Sequence, residues 1–404
     1  MSPQIHLSLL GKNGMATLFP QELIDTIIDN LADDHAALKC MSLTSRAFYP
    51  RTRIHLFRKV ELDGDKHAER FVALCRDFPH IPPLVVSLSA SSCWSKSEDQ
   101  LTPFPILPSL RNITVQEFWE DGIKAPLTLS HNQSYISATF LWVEGFPKIL
   151  EMIGGSPELQ HLALLSVTTN PENLPAQYAD FQKYILFEGH SLRPESFAIE
   201  FPFEELYDIL LSPQSVISFE RLRDFAISIM NEDDLDFAVT VVKATVNTLQ
   251  NLRIQINWNR KVPIWPYGFM LSHIHTIDII AFCPGLAHKG SQDDLDCWMM
   301  DCLTTKTNLL EKATIRFSTP NLGMEPPSLS DWDNVLTGEL MPSFRLLNVQ
   351  VIHGHDVLDP SVEGIFRTKV EAQFPVLQSH GRLNIEFKVD CGLSLLDMLA
   401  VNPY

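Results

Sequence analysis

A short apolar motif recurs along most of the chain and constrains its fold more than any other feature. In its clearest form one apolar residue is followed three positions later by a second and two positions after that by a third, as in Leu159, Leu162 and Leu164. Residues two apart lie on the same face of a β-strand, so each copy predicts a short strand with one apolar face. The other clear copies are Leu110, Ile113, Val115; Leu222, Phe225, Ile227; Leu249, Leu252, Ile254; Leu271, Ile274, Ile277 with Ile279; Leu310, Ala313, Ile315; and Phe344, Leu347, Val349. Looser copies are Leu84, Val86, Leu88; Phe140, Trp142; Phe197, Ile199, Phe201; and Leu383, Ile385, Phe387.

Helical patterns separate many of these strands. The predicted helices are Phe146 to Ile153, Glu204 to Leu211, Asp233 to Val246, Asp293 to Leu303, Ser330 to Leu336 and Val362 to Phe374. Each strand-helix unit has an apolar face that it cannot bury alone, so stacking neighbours into a curved parallel sheet with outer helices is the expected solution. Successive strands are roughly 22 to 50 residues apart, which indicates an irregular array.

A closed α/β barrel and an open doubly wound sheet share this alternation of strands and helices. The repeated Leu-x-x-Leu opening and the absence of a Gly-rich phosphate loop favour the stacked array. The motif resembles the strand segment of leucine-rich repeats. This resemblance implies an α/β fold in which residues 61–404 form an irregular leucine-rich-repeat-like solenoid that recognises a target.

The N-terminal stretch has a different pattern, that of three short helices. Pro20 stands at an opening turn and begins a stripe that continues through Leu23, Ile24, Ile27, Ile28 and Leu31. A second helix carries Leu38, Cys40 and Met41, and a third carries Phe48 and is predicted to end near Pro50. About forty residues bury too small a fraction of their surface to be stable alone, which indicates a docking surface. Leu56 to Leu62 is the predicted joint to the rest of the chain.

The order of residues in this stretch resembles an F-box, in the form common in fungal F-box proteins. The resemblance covers roughly a tenth of the chain and rests on Leu18, Pro20, Leu23, Ile27, Leu31, Leu38, Ser45, Arg46, Phe48, Leu56 and Phe57. It implies an F-box at 15–60, preceded by an N-terminal extension at 1–14, with Met15 as a second candidate start. It further implies docking on the Skp-type adaptor of a cullin-RING ubiquitin ligase. The expected adaptor-binding residues are Leu18, Pro20, Leu23, Ile24, Ile27, Ile28, Leu31 and Leu38, some of which must form the core of the module itself.

Charge and cysteine usage limit the class of partner and the compartment. The net charge is −18, and residues 1–60 hold 7 Lys or Arg against 5 Asp or Glu, so the remainder holds 24 against 44. This acidity argues against nucleic acid as a partner and weakly favours targets with basic surfaces. Seven scattered cysteines without a Cys-x-x-Cys pair predict free thiols in the cytoplasm or nucleus. No apolar run is long enough to span a bilayer, so no membrane association is expected.

No catalytic or metal-binding motif is found, and we expect no enzyme activity and no cofactor. His273 and His275, and His353 and His355, are two apart and could share one side of a strand, but neither pair has a third ligand at a diagnostic spacing. Ordinary histidines explain both pairs better. A zinc hydrolase at His353 and His355 is a remote alternative.

Target contacts are expected from residues that alternate with the buried strand positions. Each of these is by default a solvated residue on a sheet: Arg111, Asn112, Thr114, His161, Ala163, Arg253, Gln255, Asn257, Asn348 and Gln350. Two loop-like stretches, Ser89 to Pro108 with Trp94 and Phe104, and Trp258 to Met270 with Trp265 and Tyr267, supply either interface anchors or plugs for an irregular core.

The sequence therefore predicts a non-catalytic substrate-recognition subunit of an SCF-type ligase. Its helical module would bind the Skp-type adaptor and its cullin scaffold, and its solenoid would bind a protein target of unknown identity. Two alternatives stay open. The helical part could serve a partner outside ubiquitin transfer in a binding scaffold, or it could be an ordinary helical hairpin that caps a larger domain.

Overall fold

The computed structural model of the chain describes residues 20–91, 104–118, 135–143, 146–154, 156–167, 191–200, 204–212, 215–257, 273–282, 308–319, 326, 329–353 and 360–389. It is a mixed α/β structure that begins with helices and continues as a long parallel sheet. The predicted extension at 1–14, Met15, and the predicted helix from Asp293 to Leu303 lie outside the described residues.

The N-terminal stretch forms three helices: α1 (Gln21–Asp29), α2 (His35–Thr44) and α3 (Tyr49–Arg58). The prediction that the third helix ends near Pro50 was wrong. Pro50 instead lies in the first turn of α3, where its missing N–H would have no partner within the helix in any case. The basic residues Arg51, Arg53 and Arg58 consequently lie on α3, with Arg58 at its end.

In the described part of the chain twelve strands follow, all in one parallel sheet. They are β1 (Lys59–Asp63), β2 (Ser87–Ser91), β3 (Asn112–Phe118), β4 (Ser137–Val143), β5 (His161–Leu165), β6 (Ser196–Glu200), β7 (Asp224–Ile229), β8 (Asn251–Asn257), β9 (Thr276–Phe282), β10 (Lys312–Thr319), β11 (Leu346–His353) and β12 (Leu383–Val389). Every strand predicted from the apolar motif is present. The sheet begins one strand earlier than predicted, at β1, in the stretch that was expected to be only a joint.

Helices connect several of these strands. Within the described residues they are α4 (Asp65–Asp77), a 3-10 turn at Pro82–Leu84, α5 (Phe146–Gly154), α6 (Glu204–Leu211), α7 (Glu232–Ala244), α8 (Ser330–Thr337), α9 (Pro360–Glu371) and α10 (Pro375–Ser379). The predicted helices within the described residues are confirmed to within a few residues at each end. α4 and α10 were not predicted.

The order of the strands decides between the architectures that the sequence left open. Neighbours in the sheet are neighbours in the sequence, from β1 at one edge to β12 at the other. A closed barrel would pair β1 with β12, and a doubly wound sheet would reverse direction partway along the strand order. Neither feature occurs among the described strands. The sheet therefore grows by adding each unit to the one before it.

The register of the strands aligns their apolar residues into continuous rows. Leu162 of β5 lies opposite Phe197 of β6, which lies opposite Phe225 of β7. One buried apolar cluster follows these rows from Leu62 on β1 to Ile385 on β12. Helices α4 to α9 add buried apolar side chains to the same cluster, so it lies on the helix side of the sheet. Each strand buries its apolar face only because its neighbours are present.

The start of α7 shows how a connecting helix is held. Asn231 caps the helix by accepting a hydrogen bond from the N–H of Asp234, and the Asp234 carboxylate accepts from the N–H groups of Met230 and Asn231. The hydroxyl of Tyr207 on α6 donates to the same carboxylate at 2.5 Å, so α6 and α7 are joined through it. Burial raises the pKa of Asp234, while these hydrogen bonds act against that rise.

A left-handed residue recurs at the ends of three consecutive strands, within β3 and β4 and directly after β5. Glu117, Trp142 and Ser166 have φ angles of 55°, 53° and 54°. Successive side chains of a strand normally point to opposite faces of the sheet, and a left-handed residue interrupts this alternation. The side chain of the next residue then faces the core: Val143 and Val167, which follow Trp142 and Ser166, are both fully buried. The prediction that Trp142 is a core residue of β4 was therefore wrong, and its side chain is 57% exposed.

We predict that Ser166→Val lowers the free energy of unfolding by about 1 to 2 kcal/mol, because a β-branched side chain is disfavoured at positive φ. Ser166→Gly is the matched control, since glycine adopts this conformation freely, and it should not lower the stability. Urea unfolding followed by circular dichroism measures both variants. Equal stability of the Val and Gly variants would contradict the assigned backbone conformation.

Candidate functional site

The eight residues expected to bind a partner divide between the core and the surface of the helical module α1–α3. Ile28 and Leu38 are fully buried and form its core, while Leu23 and Ile27 are 51% and 52% exposed. Pro20 is exposed, and Ile24 and Leu31 are partly buried. Leu18 lies outside the described residues. The structure thus leaves Leu23 and Ile27 as the large apolar side chains that α1 presents to solvent.

Leu23 and Ile27 form one patch because residues four apart lie on the same face of a helix. Other large apolar side chains of the same module are exposed as well: Leu43 at the end of α2, and Tyr49 and Ile54 on α3. Single exposed apolar residues are ordinary on a protein surface, but several on one module of this size indicate an interaction surface.

A charged cluster fixes α1 against α3 and so holds this patch in place. The Asp29 carboxylate accepts two hydrogen bonds from Arg51, from Nε at 2.6 Å and from Nη2 at 2.7 Å. Nε2 of His55 lies 2.7 Å from the same carboxylate. The hydrogen bonds from Arg51 and His55 hold the pKa of Asp29 well below its usual value. The paired guanidinium and carboxylate groups restrict the angle between the two helices.

The helical module is joined to the sheet without a linker. α3 ends at Arg58 and β1 begins at Lys59. The carbonyl of Arg58 accepts a hydrogen bond from the N–H of Val86, just before β2, at 2.9 Å. Phe57 of α3 and Val60 of β1 pack against the apolar cluster of the sheet. The patch on α1 is therefore carried by a module that is anchored directly to the sheet.

The other candidate surface is the face of the sheet opposite the apolar cluster, which we call the second face. The expectation of solvated residues there was wrong for Ala163, Gln255, Asn348 and Gln350, which are buried. Side chains on adjacent strands hydrogen-bond one another and shield each other from water: Asn384 donates to Asn348 at 3.1 Å, and Gln350 donates to Glu386 at 2.9 Å. Arg111 is exposed, and Asn112, Thr114, His161 and Arg253 are partly buried.

The middle strands of the second face carry small residues beside a polar group. Ala163, Ala198 and Ala226 are aligned across β5, β6 and β7 and are buried with Leu165 and Ile280. On β7 to β10 follows a group of four polar residues, which we call the Gln255 cluster: Ser228, Gln255, Asp278 and Arg316.

An ion pair lies within the Gln255 cluster. Nη2 of Arg316 donates to Oδ2 of Asp278 at 2.6 Å, and the two side chains are only 16% and 9% exposed. Burial raises the pKa of Asp278, and the positive charges of Arg316, Arg253 and Lys312 act against that rise.

The polar atoms of the Gln255 cluster are incompletely satisfied. Ser228 Oγ, Gln255 Oε1, Asp278 Oδ1 and Arg316 Nε are all buried and have no hydrogen-bond partner. A buried polar atom without a partner costs roughly 1 to 3 kcal/mol, so four of them together are unusual for a purely structural region. The sequence placed Gln255 and Arg253 on this face but gave no sign that Ser228, Asp278 and Arg316 would meet there.

The histidine pairs do not form a metal site in the described part of the chain. His273 and His275 both precede β9, so they do not share one side of a strand. The Nδ1 atom of His275 lies 3.2 Å from Glu311 Oε1. His353 is buried at the end of β11, and His355 lies outside the described residues. No cluster of three or more His, Cys, Asp or Glu side chains in the described residues could hold a metal ion.

Two further expectations concern the loops and the cysteines. Ser89 belongs to β2, and Phe104 packs against Phe71 of α4 with ring centroids 5.8 Å apart, so Phe104 fills the core and is not an interface anchor. Trp94, Trp265 and Tyr267, and the stretch 258–270, lie outside the described residues.

Cys40 and Cys75 are free thiols, and burial raises the pKa of Cys75 to about 11.

No protein-family model matches the chain, and no curated protein matches it either. None of the helices in the described ranges combines the length and the apolar character needed to cross a bilayer. Functional proposals therefore depend on the geometry of the patch on α1 and of the second face.

We predict that Asp29→Asn loosens α1 from α3 without disturbing the sheet. The neutral amide of Asn has one acceptor oxygen, whereas the charged carboxylate of Asp29 accepts two hydrogen bonds from Arg51. Amide hydrogen exchange should become faster in α1 and α3 and stay unchanged in β2 to β12. In the wild type the pKa of Asp29 is lower in the folded state than its usual value of 3.8. Asp29 therefore stabilises the folded state fully at pH values above 3.8, and this stabilisation is lost as the pH falls through the lower pKa of the folded state. Unchanged exchange in both helices would contradict the assigned role of this cluster.

Proposed function

We propose that this chain is the substrate-recognition subunit of an SCF-type cullin-RING ubiquitin ligase. In this proposal the helices α1–α3 are an F-box that binds a Skp-type adaptor, and the parallel sheet with its helices is an irregular leucine-rich-repeat-like solenoid that binds a protein target. The chain performs no chemistry and acts in the cytoplasm or nucleus by holding a target close to the ligase.

The observation that carries this proposal is the exposure of Leu23 and Ile27 on a helix whose position is fixed. A helix that presents apolar residues at i and i+4 is suited to a hydrophobic groove or helix pair on another protein. Ile28 and Leu38 are used up in the module's own core, so the exposed pair is not needed for folding of the module. Covering the pair with a partner would remove apolar surface from water and stabilise the complex.

The direct joint between α3 and β1 supports a proximity mechanism. A target bound to the sheet is held at a defined position relative to an adaptor bound to α1, because no flexible residues separate Arg58 from Lys59. A rigid connection keeps the effective concentration of the target near the transferring enzyme high, whereas a flexible one dilutes it. The acidic residues beyond position 60 would attract targets with basic surfaces during encounter.

The sequence order of the strands supports the solenoid part of the proposal. In a solenoid each unit contacts only its neighbours, and the twelve strands pair only with the strands before and after them in the described residues. The recurrence of a left-handed residue at Glu117, Trp142 and Ser166 is consistent with units that repeat one backbone geometry.

We predict that Leu23→Asp with Ile27→Asp abolishes co-purification of the adaptor and the cullin from cells. Each introduced carboxylate would lose its hydration in the interface. The free-energy cost of desolvating two carboxylates should weaken adaptor binding at least about tenfold. Because both side chains are half exposed, the double variant should keep the wild-type thermal unfolding temperature. Ile28 is unsuitable for this test, since a charge at a fully buried position would unfold the module.

Ile365→Asp is the matched control, because Ile365 is a comparably exposed apolar residue at 60% on a helix far along the sequence, α9. It should retain the adaptor and the cullin. Co-purification of neither protein with the wild type would contradict the proposal. Recovery of some other protein that depends on Leu23 and Ile27 would instead favour the scaffold whose helical module serves a partner outside ubiquitin transfer.

A further inference from the structure

The Gln255 cluster has the features of a binding subsite that no part of the mechanism above uses. Ser228, Gln255 and Asp278 are 1%, 5% and 7% exposed. Each carries an oxygen atom without a hydrogen-bond partner, and Arg316 carries an N–H group without one. Buried polar atoms in native proteins are nearly always paired, so an unpaired group of this kind indicates a missing partner.

The sheet register places the four residues on neighbouring strands of one face. Ser228 lies directly opposite Gln255 on the next strand. Gln255 lies opposite Ile280, which lies opposite Arg316. Adjacent strands are about 4.8 Å apart, so the row from Ser228 to Arg316 spans roughly 15 Å before side chains reach toward one another. Asp278 lies diagonally beside Gln255 and is bound to Arg316.

The unpaired atoms define the chemistry of the missing group. Asp278 Oδ1 and Gln255 Oε1 can only accept hydrogen bonds, Arg316 Nε can only donate one, and the Ser228 hydroxyl can do either. The partner must therefore supply at least two donors and one acceptor. A primary carboxamide has this combination: its NH₂ group can donate to the two oxygens, and its carbonyl can accept from Arg316.

The local charges disfavour a cationic partner, and the unpaired acceptors disfavour an anionic one. The carboxylate of Asp278 is already paired with Arg316, and the charges of Arg253 and Lys312 also act on it. A cationic ligand would therefore meet three positive side chains around one carboxylate. An anionic ligand such as a carboxylate has no donor for Asp278 Oδ1 or Gln255 Oε1, so both oxygens would stay unpaired. A neutral group avoids both penalties.

A row of residues crosses the second face beside the cluster. Arg253 lies opposite Asp278 in this row, and Ala226 and Ala198 follow toward β6. Arg316 is the most exposed member of the cluster. A side chain that approaches the cluster would therefore meet Arg316 first.

We propose that the Gln255 cluster is a subsite for a neutral primary carboxamide, the side chain of an Asn or Gln residue in a protein target. The protein source of the carboxamide rests on the proposed target-binding function, whereas the chemistry of the subsite does not.

The test uses the full-length protein and three small probes of the same shape: acetamide, acetate and acetamidinium, which are neutral, negative and positive. Arginine Nε–H resonances of the ¹⁵N-labelled protein report on binding, with that of Arg316 assigned from Arg316→Lys. Acetamide should shift the Arg316 signal saturably with a dissociation constant in about the millimolar range, as expected for so small a ligand. Acetate and acetamidinium should bind at least about tenfold more weakly. No saturable shift with acetamide, or an equal response to all three probes, would overturn the proposal and leave ordered water as the partner of these atoms.

Gln255→Leu separates a binding role from a structural one. It removes one acceptor and one unpaired buried atom, so it should weaken acetamide binding at least about tenfold while the thermal unfolding temperature stays equal or rises. A fall in the unfolding temperature without a change in acetamide binding would mean that Gln255 is structural and would overturn its place in the subsite. The comparison of the three probes does not use Gln255→Leu and stays decisive if that variant does not fold.

Asn and Gln blocked at both ends, as N-acetyl N-methylamides, test the source of the group. They should bind at least as tightly as acetamide, and blocked Asp and Glu should not bind. Binding of acetamide without binding of blocked Asn or Gln would overturn the protein source. Failure of the adaptor to co-purify would refute the ligase function but would not affect these measurements, so the two proposals can fail separately.

Discussion

The structure depends on one constraint: a short parallel strand with a single apolar face is stable only beside neighbours of the same kind. The hydrogen-bond ladder aligns Leu162, Phe197 and Phe225, and repetition of this pairing builds the apolar cluster from Leu62 to Ile385. Because every unit contributes to the same rows, the sheet is an ordered scaffold along its whole length. Both candidate surfaces derive their fixed positions from it.

The two surfaces differ in the kind of group that they leave unsatisfied. On α1 the unsatisfied groups are apolar, since Leu23 and Ile27 face solvent although the module has its own buried core. On the second face they are polar, since the Gln255 cluster holds buried atoms without partners. An adaptor at the first surface and a target side chain at the second would satisfy both. The proposed function as a ligase subunit needs both surfaces at once. The rigid joint at Arg58 and Lys59 would set the distance between the bound adaptor and the bound target.

Much of the fold could be predicted from the sequence because strand burial follows a simple period. The copies with strong apolar spacing, such as Leu252 and Ile254 on β8, were placed correctly. β1 was missed because Lys59, Glu61 and Asp63 outnumber its two apolar residues, and its burial depends on β2. Trp142 was misplaced because a single left-handed residue shifts which side chain faces the core, and spacing alone does not reveal that shift.

The candidate sites were only partly predictable for the same kind of reason. The stripe on α1 was visible, but which of its residues would be buried depends on how α3 packs, through Asp29 and Arg51, which lie 22 positions apart in the sequence. The meeting of Asp278 with Arg316 spans 38 positions and two strands, and no local pattern signals it. A hydrogen-exchange footprint of the full chain with a purified Skp-type adaptor tests directly whether α1 is the adaptor-binding surface. New protection should be confined to residues 20–58 and centred on α1, with the strands β7 to β10 unchanged. No protection in α1, or protection only on the sheet, would contradict it.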